Sequence, residues 1–284
     1  MKTKRNLFIA AVTAIAMVFT ITSCQKGFDD KSYAPVKPLP SYGGYSSSKS
    51  IDPDNLVAYW AFNNSLIDSV SKTSGAATGT SFATGVAKGT GLQGALHSYV
   101  LADASAAVAG LHSFTLSVWV NTPPPSTGII GFFSLANTAN FWGNMDMFFE
   151  NGSDNTNGKL RFHISQAGND NTYAVDNVPN LFNKWVNIIF TYNETGGKCA
   201  VYVNGNSVAS GTAGSLTGPL AFTNVGKVVF GCVQFMTTPS QTAATGAQDW
   251  ASFNTGGTDQ VRIYNKALSA GKASALYNLE NAGR

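Results

Sequence analysis

Few residues in this chain have the type and spacing that chemistry requires. In "MDMFFE", Asp146 and Glu150 stand an even number of positions apart. On an extended strand alternate side chains share a face, so both carboxylates project from one side. Two such acids can cleave a glycosidic bond with retention at about 5–5.5 Å separation, or with inversion at about 6.5–9.5 Å. Between them lies Phe148, which offers neither acid a hydrogen bond. Hydrolase or lyase chemistry at Asp146 and Glu150 is the alternative to a site without catalysis. His97, His112 and His163 are scattered, with no pair at the helical spacing of a zinc motif. Nucleophile elbows, phosphate loops and dinucleotide fingerprints are absent from the sequence.

Aromatic residues in polar connections are the second candidate set. Trp142 in "NTANFWGN", Trp250 in "ATGAQDWASF" and Tyr173 in "GNDNTYAV" lie among small polar residues and glycine. Such rings either plug the bases of loops or stack on the C–H faces of a sugar, which makes polysaccharide or other glycan the expected partner. Cys199 and Cys232 are open to two readings as well: a disulfide, which an oxidising compartment permits, or two separate small buried residues.

These candidates need elements to position them. Residues 1–23 are read as an export signal, with Lys2, Lys4 and Arg5 ahead of "LFIAAVTAIAMVFTI". That apolar run is about fifteen residues, short of the ~20 that span a bilayer as a helix. It closes on "ITSC", which resembles a bacterial lipobox, so Cys24 is the expected lipidation site and the membrane is reached through acyl chains. The acidic pair in "CQKGFDD" resembles the export tag of Bacteroidetes-type surface lipoproteins. The expected location is therefore the bacterial outer membrane, on its surface or periplasmic face, with an outer-membrane uptake complex as the partner such a location suggests. Residues 24–53, rich in Ser, Pro, Gly and Tyr, are read as a flexible tether. The chain has 18 Lys+Arg against 15 Asp+Glu, and loss of the three basic residues of the signal leaves 15 of each. No basic patch points to nucleic acid.

Residues 54–284 are read as one domain. Short runs rich in β-branched and aromatic residues recur between turn clusters, among them "FTLSVWV", "KLRFHIS", "WVNIIFTY" and "KVVFGCV". Phe114, Leu116, Val118 and Val120 alternate with Thr115, Ser117 and Trp119, the period of a strand with one face in a core. Asn204-Gly205 predicts a type I′ hairpin turn. One short helix is predicted from Ser269, its hydroxyl as cap, with Ala273, Ala275, Leu276 and Leu279 on its apolar side. Lys272 stands where a capping box would place Glu or Gln, which predicts a frayed helix. The fold class is all-β, a sandwich or jelly roll with a short C-terminal helix.

Five segments in order, "LVAYWAFNNSLIDSVS", "GLQGAL", "FTLSVWVN", "KWVNIIFTYNETGGKCAVYVNGNSVAS" and "DQVRIYNKALSAGKASALYN", resemble laminin-G-like, concanavalin A-like jelly roll domains. The resemblance implies a framework role for Trp60, Trp119 and Trp185. It implies carbohydrate binding, with two alternatives: a structural or adhesive role in a cell-surface assembly, or, as on other members, sugar hydrolysis by two glutamates flanking an aspartate at alternate positions. The stretch Asp146–Glu150 departs from that pattern at its first and middle acids. The resemblance also implies a calcium ion at the sandwich rim, with Asp68 and Asp259 as the matching carboxylates. Asp259 is followed by Gln260 where many relatives carry a second acid. The other reading of Asp259 is a residue that ties a loop by accepting backbone N–H bonds.

Overall fold

A computed structural model describes residues 39–284 apart from Ala87 and Thr127. The export signal 1–23 and Cys24 lie outside the described residues. The strands are β1 (Leu56–Trp60), β2 (Ala76–Thr78), β3 (Ser81–Thr84), β4 (Thr90–Gln93), β5 (Tyr99–Asp103) and β6 (Phe114–Asn121). They continue with β7 (Ile129–Asn137), β8 (Met145–Phe149), β9 (Gly158–Gln166), β10 (Asn169–Val178) and β11 (Val186–Asn193). The last are β12 (Lys198–Val203), β13 (Asn206–Thr212), β14 (Val225–Phe230), β15 (Ala251–Phe253) and β16 (Gly257–Tyr264), followed by a helix over Ala270–Asn281.

These strands form two sheets. The first runs β13-β12-β11-β6-β16-β4-β3 with β1 also on β16; the second runs β10-β9-β8-β7-β14-β5-β2 with β15 also on β7. Pairing is antiparallel except for the short β15–β7 contact, which is parallel. The expected alternation holds in β6, where Phe114, Leu116, Val118 and Val120 enter the core between the sheets. Across that core Phe190 of β11 stacks on Phe162 of β9, with ring centroids 4.4 Å apart. The hairpin between β12 and β13 turns at Asn204 and Gly205, both at positive φ (48° and 74°), as a type I′ turn requires.

The outer face of the first sheet is not solvated over β6, β11 and β16. Thr115, Ser117 and Trp119 are all buried, beneath the C-terminal helix and residues 41–53. The helix lays Ala273, Ala275, Leu276 and Leu279 against Ile189, Tyr202 and Tyr264, and Tyr277 stacks on Trp119 at 5.4 Å. Beneath it Arg262 Nε donates to Glu280 Oε1 at 2.6 Å with both side chains buried, and Trp119 Nε1 donates to Glu280 Oε2 at 2.7 Å. Tyr59 lies 3.8 Å from the guanidinium carbon of Arg262. The predicted frayed helix is therefore corrected. Ser269 caps it weakly, at 3.5 Å from the Lys272 N–H, but tertiary contacts hold it, and Lys272 pairs with Asp52 where a capping box would have turned inward.

The tether expected up to residue 53 also ends sooner. The compact unit begins at Ser41, Ile51 is buried with the helix, and Ser48 Oγ accepts from Arg262 Nη2 at 3.2 Å. Ile51 is the one strongly apolar residue of that stretch, and its burial draws the polar run onto the sheet. Removing one partner of a buried, hydrogen-bonded ion pair strands the other charge. Glu280→Ala is expected to cost roughly 3–5 kcal/mol in urea unfolding, and Arg262→Met with Glu280→Leu together should cost less than Glu280→Ala alone.

Candidate functional site

The outer face of the second sheet carries the chemistry. On β8, Met145, Met147 and Phe149 fill the core, so Asp146 and Phe148 project outward. On β9 the outward residues include Arg161 and His163. Strand register sets Asp146 opposite His163 and Phe148 opposite Arg161, and on the next strand Thr172 opposite His163. Part of this face is covered: Cys232, Val233, Phe235 and Met236, with Ala251 and Phe253, pack on Val229, Tyr99 and Phe148. What stays open is a cavity of about 280 Å³ lined by Ile129, Trp142, Phe148, Glu150, Arg161, His163, Thr172 and Trp250.

Two of the three aromatic candidates meet here. Trp142 and Trp250 have ring centroids 6.1 Å apart. The Trp142 indole lies nearly parallel to His163 at 4.3 Å and to Phe148 at 5.3 Å. Those two rings are only 5.6 Å from each other, too close to sandwich an indole, so both lie under one of its faces. Phe141 and Phe235 meet the same indole at steep angles, 74° and 64°. Trp250 is backed in parallel by Phe141 at 6.1 Å and is 40% exposed. Tyr173 does not join them. It sits on β10 with its ring in the core, stacked on Phe190 at 6.0 Å. The stretch read as a loop is a ten-residue strand, and period two turns Tyr173 to the opposite face.

Buried polar groups fix the loops that carry these rings. Gln234, fully buried, donates from Nε2 to the carbonyls of Asn140 (2.8 Å) and Phe141 (2.9 Å) and accepts the Asn137 N–H at 2.6 Å. Asp146, 1% exposed, accepts the Gly143 N–H at 2.8 Å and the Ser134 hydroxyl. A Cβ on Gly143 would stand 2.7 Å from the Leu135 carbonyl oxygen, so only glycine lets the Trp142 loop approach this closely. Burial pushes the Asp146 carboxyl up to about 7, against the lowering effect of those two bonds. Burial also holds His163 down at about 4, so the ring is neutral at pH 7; its Nε2 lies 3.3 Å from Thr172 Oγ1.

Asp146 and Glu150 therefore do different work. Glu150 is at the cavity rim, 38% exposed, where Oε2 accepts from Arg161 Nε at 2.8 Å; Arg161 Nη1 reaches Asp176 at 2.9 Å. Asp146 lies beneath the Trp142 loop, closed off from that rim, and the two do not form an open pair of acids.

The other two candidate acids lie at loops and accept backbone N–H groups. Asp68 is buried and accepts the N–H groups of Tyr59 (2.8 Å), Val70 (2.9 Å) and Ser71 (3.3 Å) together with the Ser71 hydroxyl. Asp259 accepts the N–H of Val86 at 2.9 Å and of Gln260 at 2.8 Å, and burial raises it to about 6. The loop it ties is the one after β3. Among the described residues no group of three His, Cys, Asp or Glu side chains could hold a metal ion. Cys199 and Cys232 are not paired: both are free and buried, Cys199 between the sheets and Cys232 outside the second one, with a sheet between them. Burial pushes the Cys199 thiol up to about 12.

Residues 93–273 match the laminin G-type family described as the concanavalin A-like lectin/glucanases superfamily. No curated protein matches significantly. Among solved structures, the binding domain of Paraclostridial Mosquitocidal Protein 1 is similar at TM-score 0.57 and 19% identity, over 79% of this chain and 52% of that one. The botulinum neurotoxin serotype D ligand binding domain in complex with N-acetylneuraminic acid is similar at 0.58 and 13%, over 82% and 52%. Domain 4 of AbnA, an extracellular GH43 arabinanase from Geobacillus stearothermophilus, in complex with arabinotriose, is similar at 0.54 and 20%, over 78% and 98%. The chain thus spans about half the length of the toxin binding domains, and at these identities the likeness is one of fold.

The raised Asp146 carboxyl has a signed consequence. A folded pKa near 7 against an ordinary value near 4 means that the folded state holds the extra proton in between, so this residue's stabilising contribution is lost as pH rises from about 4 through 7. His163, depressed when folded, contributes in the opposite sense over about pH 4 to 6.5. Asp146→Asn removes the titration and keeps the Gly143 N–H bond on its amide oxygen, while its NH2 donates to Ser134 Oγ with that hydroxyl turned to accept. Relative to the parent it should gain stability on the order of a few kcal/mol between pH 4.5 and 7.5 in urea titrations, whereas Asp146→Ala should lose about 1–3 kcal/mol at both.

Proposed function

The chain belongs to the concanavalin A-like lectin/glucanases superfamily, and from that premise we propose that its sandwich is a lectin-like module that binds extracellular glycan without turning it over. The observation that carries this reading is the pair Trp142 and Trp250, each backed by aromatic rings and opening beside Glu150 and Arg161. Flat apolar rings next to hydrogen-bonding side chains match the two surfaces of a sugar, its C–H face and its hydroxyls. Relatives of the same fold whose complexes hold arabinotriose and N-acetylneuraminic acid support a saccharide ligand. Loop residues on a rigid sheet supply the contacts, as is common where one fold serves many ligands.

Affinity electrophoresis through gels containing soluble polysaccharides tests the site. Retardation by at least one glycan is expected, weakened roughly two- to tenfold by Trp142→Ala and by Trp250→Ala, the span of about 0.5–1.5 kcal/mol per aromatic contact. Retardation unchanged in the double variant would remove these rings from the site, and reducing sugar released by the parent but not by Glu150→Gln would make it a hydrolase.

We place the module on a bacterial outer membrane through a lipid on Cys24, with an outer-membrane uptake complex as the partner class suited to that location. The basic start, apolar core and cysteine of the first 24 residues support this, since stable anchoring takes more than one acyl chain. Cys24→Ser should abolish incorporation of labelled palmitate and the shift of detergent-extracted protein into the membrane fraction; labelling that persists in the variant would refute lipidation there.

A further inference from the structure

The polar side of the aromatic cavity is acidic. Glu150 lines it, and Asp176 stands beside it on β10, half exposed. Asp170 lies on the same strand, and Asp249 directly precedes Trp250. On the cationic side, the one guanidinium that lines the cavity is committed. Arg161 donates from Nε to Glu150 and from Nη1 to the Leu160 carbonyl, and the same Nη1 is ion-paired with Asp176 at 2.9 Å. Lys159 turns away, its ammonium near the Gly152 turn and close enough to act on Asp154. Asp146 is sealed beneath the Trp142 loop, and His163 adds no charge at neutral pH. A carboxylate or sulfate entering this cavity would meet two acids around one neutralised arginine, with the aromatic wall lowering the local dielectric and sharpening the repulsion.

The same groups suit a neutral ligand. Among the described residues, Oε1 of Glu150 and Nη2 of Arg161 have no protein partner, while Oε2 and Nε of the same side chains bond each other. The pair thus offers a free acceptor and a free donor held together, as adjacent hydroxyls of a sugar ring demand. We infer that the cavity selects uncharged glycans, reading adjacent hydroxyls with Glu150 and Arg161, and rejects sugars bearing carboxylate or sulfate. This rests on the glycan-binding reading and adds a selectivity that separates the chain from the fold relative whose ligand is the acidic N-acetylneuraminic acid.

The test compares glycans that share a backbone and differ in charge, using the full chain in detergent at low salt: dextran with dextran sulfate, and hydroxyethylcellulose with carboxymethylcellulose, beside linear arabinan and polygalacturonate. The neutral members should bind, and the charged members should bind at least about tenfold more weakly. Asp176→Asn, a change at an exposed position, should narrow that gap, as should added salt. Glu150→Gln should narrow it further while weakening neutral binding. A charged glycan bound as tightly as its neutral counterpart, and released by Trp142→Ala, would overturn the selectivity and leave the glycan site standing. A gap unchanged by either variant would overturn the charge argument. Binding of no glycan in any pair would overturn both the selectivity and the site.

Discussion

Because a strand sends alternate side chains to opposite faces, every residue spent on the core of a sandwich leaves a neighbour facing outward, and this chain makes many of those neighbours apolar. Trp119, Ile189, Tyr202 and Tyr264 project from the outside of the first sheet; Tyr99, Phe148 and Val229 project from the outside of the second. Each outer face must then be covered. The first is closed by the C-terminal helix and the segment from Ser41, pinned through the buried Arg262–Glu280 pair. The second is closed by the long connection between β14 and β15 over β5, β14, β7 and Phe148 of β8, and by the Trp142 loop over Asp146 and His163. Beyond these residues, toward the rest of β9 and β10, the cover stops, and the cavity is the place where it stops.

That incomplete cover explains how loop residues come to be held in fixed positions. A ring on an exposed loop would lose entropy on meeting a ligand, whereas Trp142 is already stacked on the sheet and its loop is tied at both ends. Gln234 binds the entering backbone and Asp146 the leaving one. Both ties are buried amide or carboxyl groups with their hydrogen bonds made, which is the condition under which polar groups rigidify a site instead of weakening it.

The architecture was readable in the sequence because it rests on period and turn chemistry: the alternation in β6, the Asn204-Gly205 turn and the ordered framework segments all lie where local rules place them. The site was readable only in part. Trp142 and Trp250 stood out by their polar surroundings, but nothing local marked Phe148, His163 and Arg161, which come together through register between strands. The run "MDMFFE" held a usable sign, since apolar residues at both phases of a strand demand cover on both sides. Tyr173 misled because its neighbours are polar; they belong to an edge strand with one wet face, and the ring belongs to the other. Asp68 and Asp259 were visible as acids at loops, but whether an acid binds backbone N–H groups or a cation depends on chain paths that sequence spacing does not contain.

Asp146 shows why two acids on one face of a strand do not define a catalyst. Acid catalysis needs a raised carboxyl that can reach the leaving oxygen of a substrate. Asp146 has the raised carboxyl, but the burial that raises it also places Gly143 over one of its oxygens and Ser134 against the other. Glu150 has the access, and there its Oε2 accepts from Arg161 Nε at the rim of the cavity. The raised carboxyl and the open position fall on two different residues. What that division leaves is a buried protonatable group that fixes the Trp142 loop and a rim side chain that faces the open cavity.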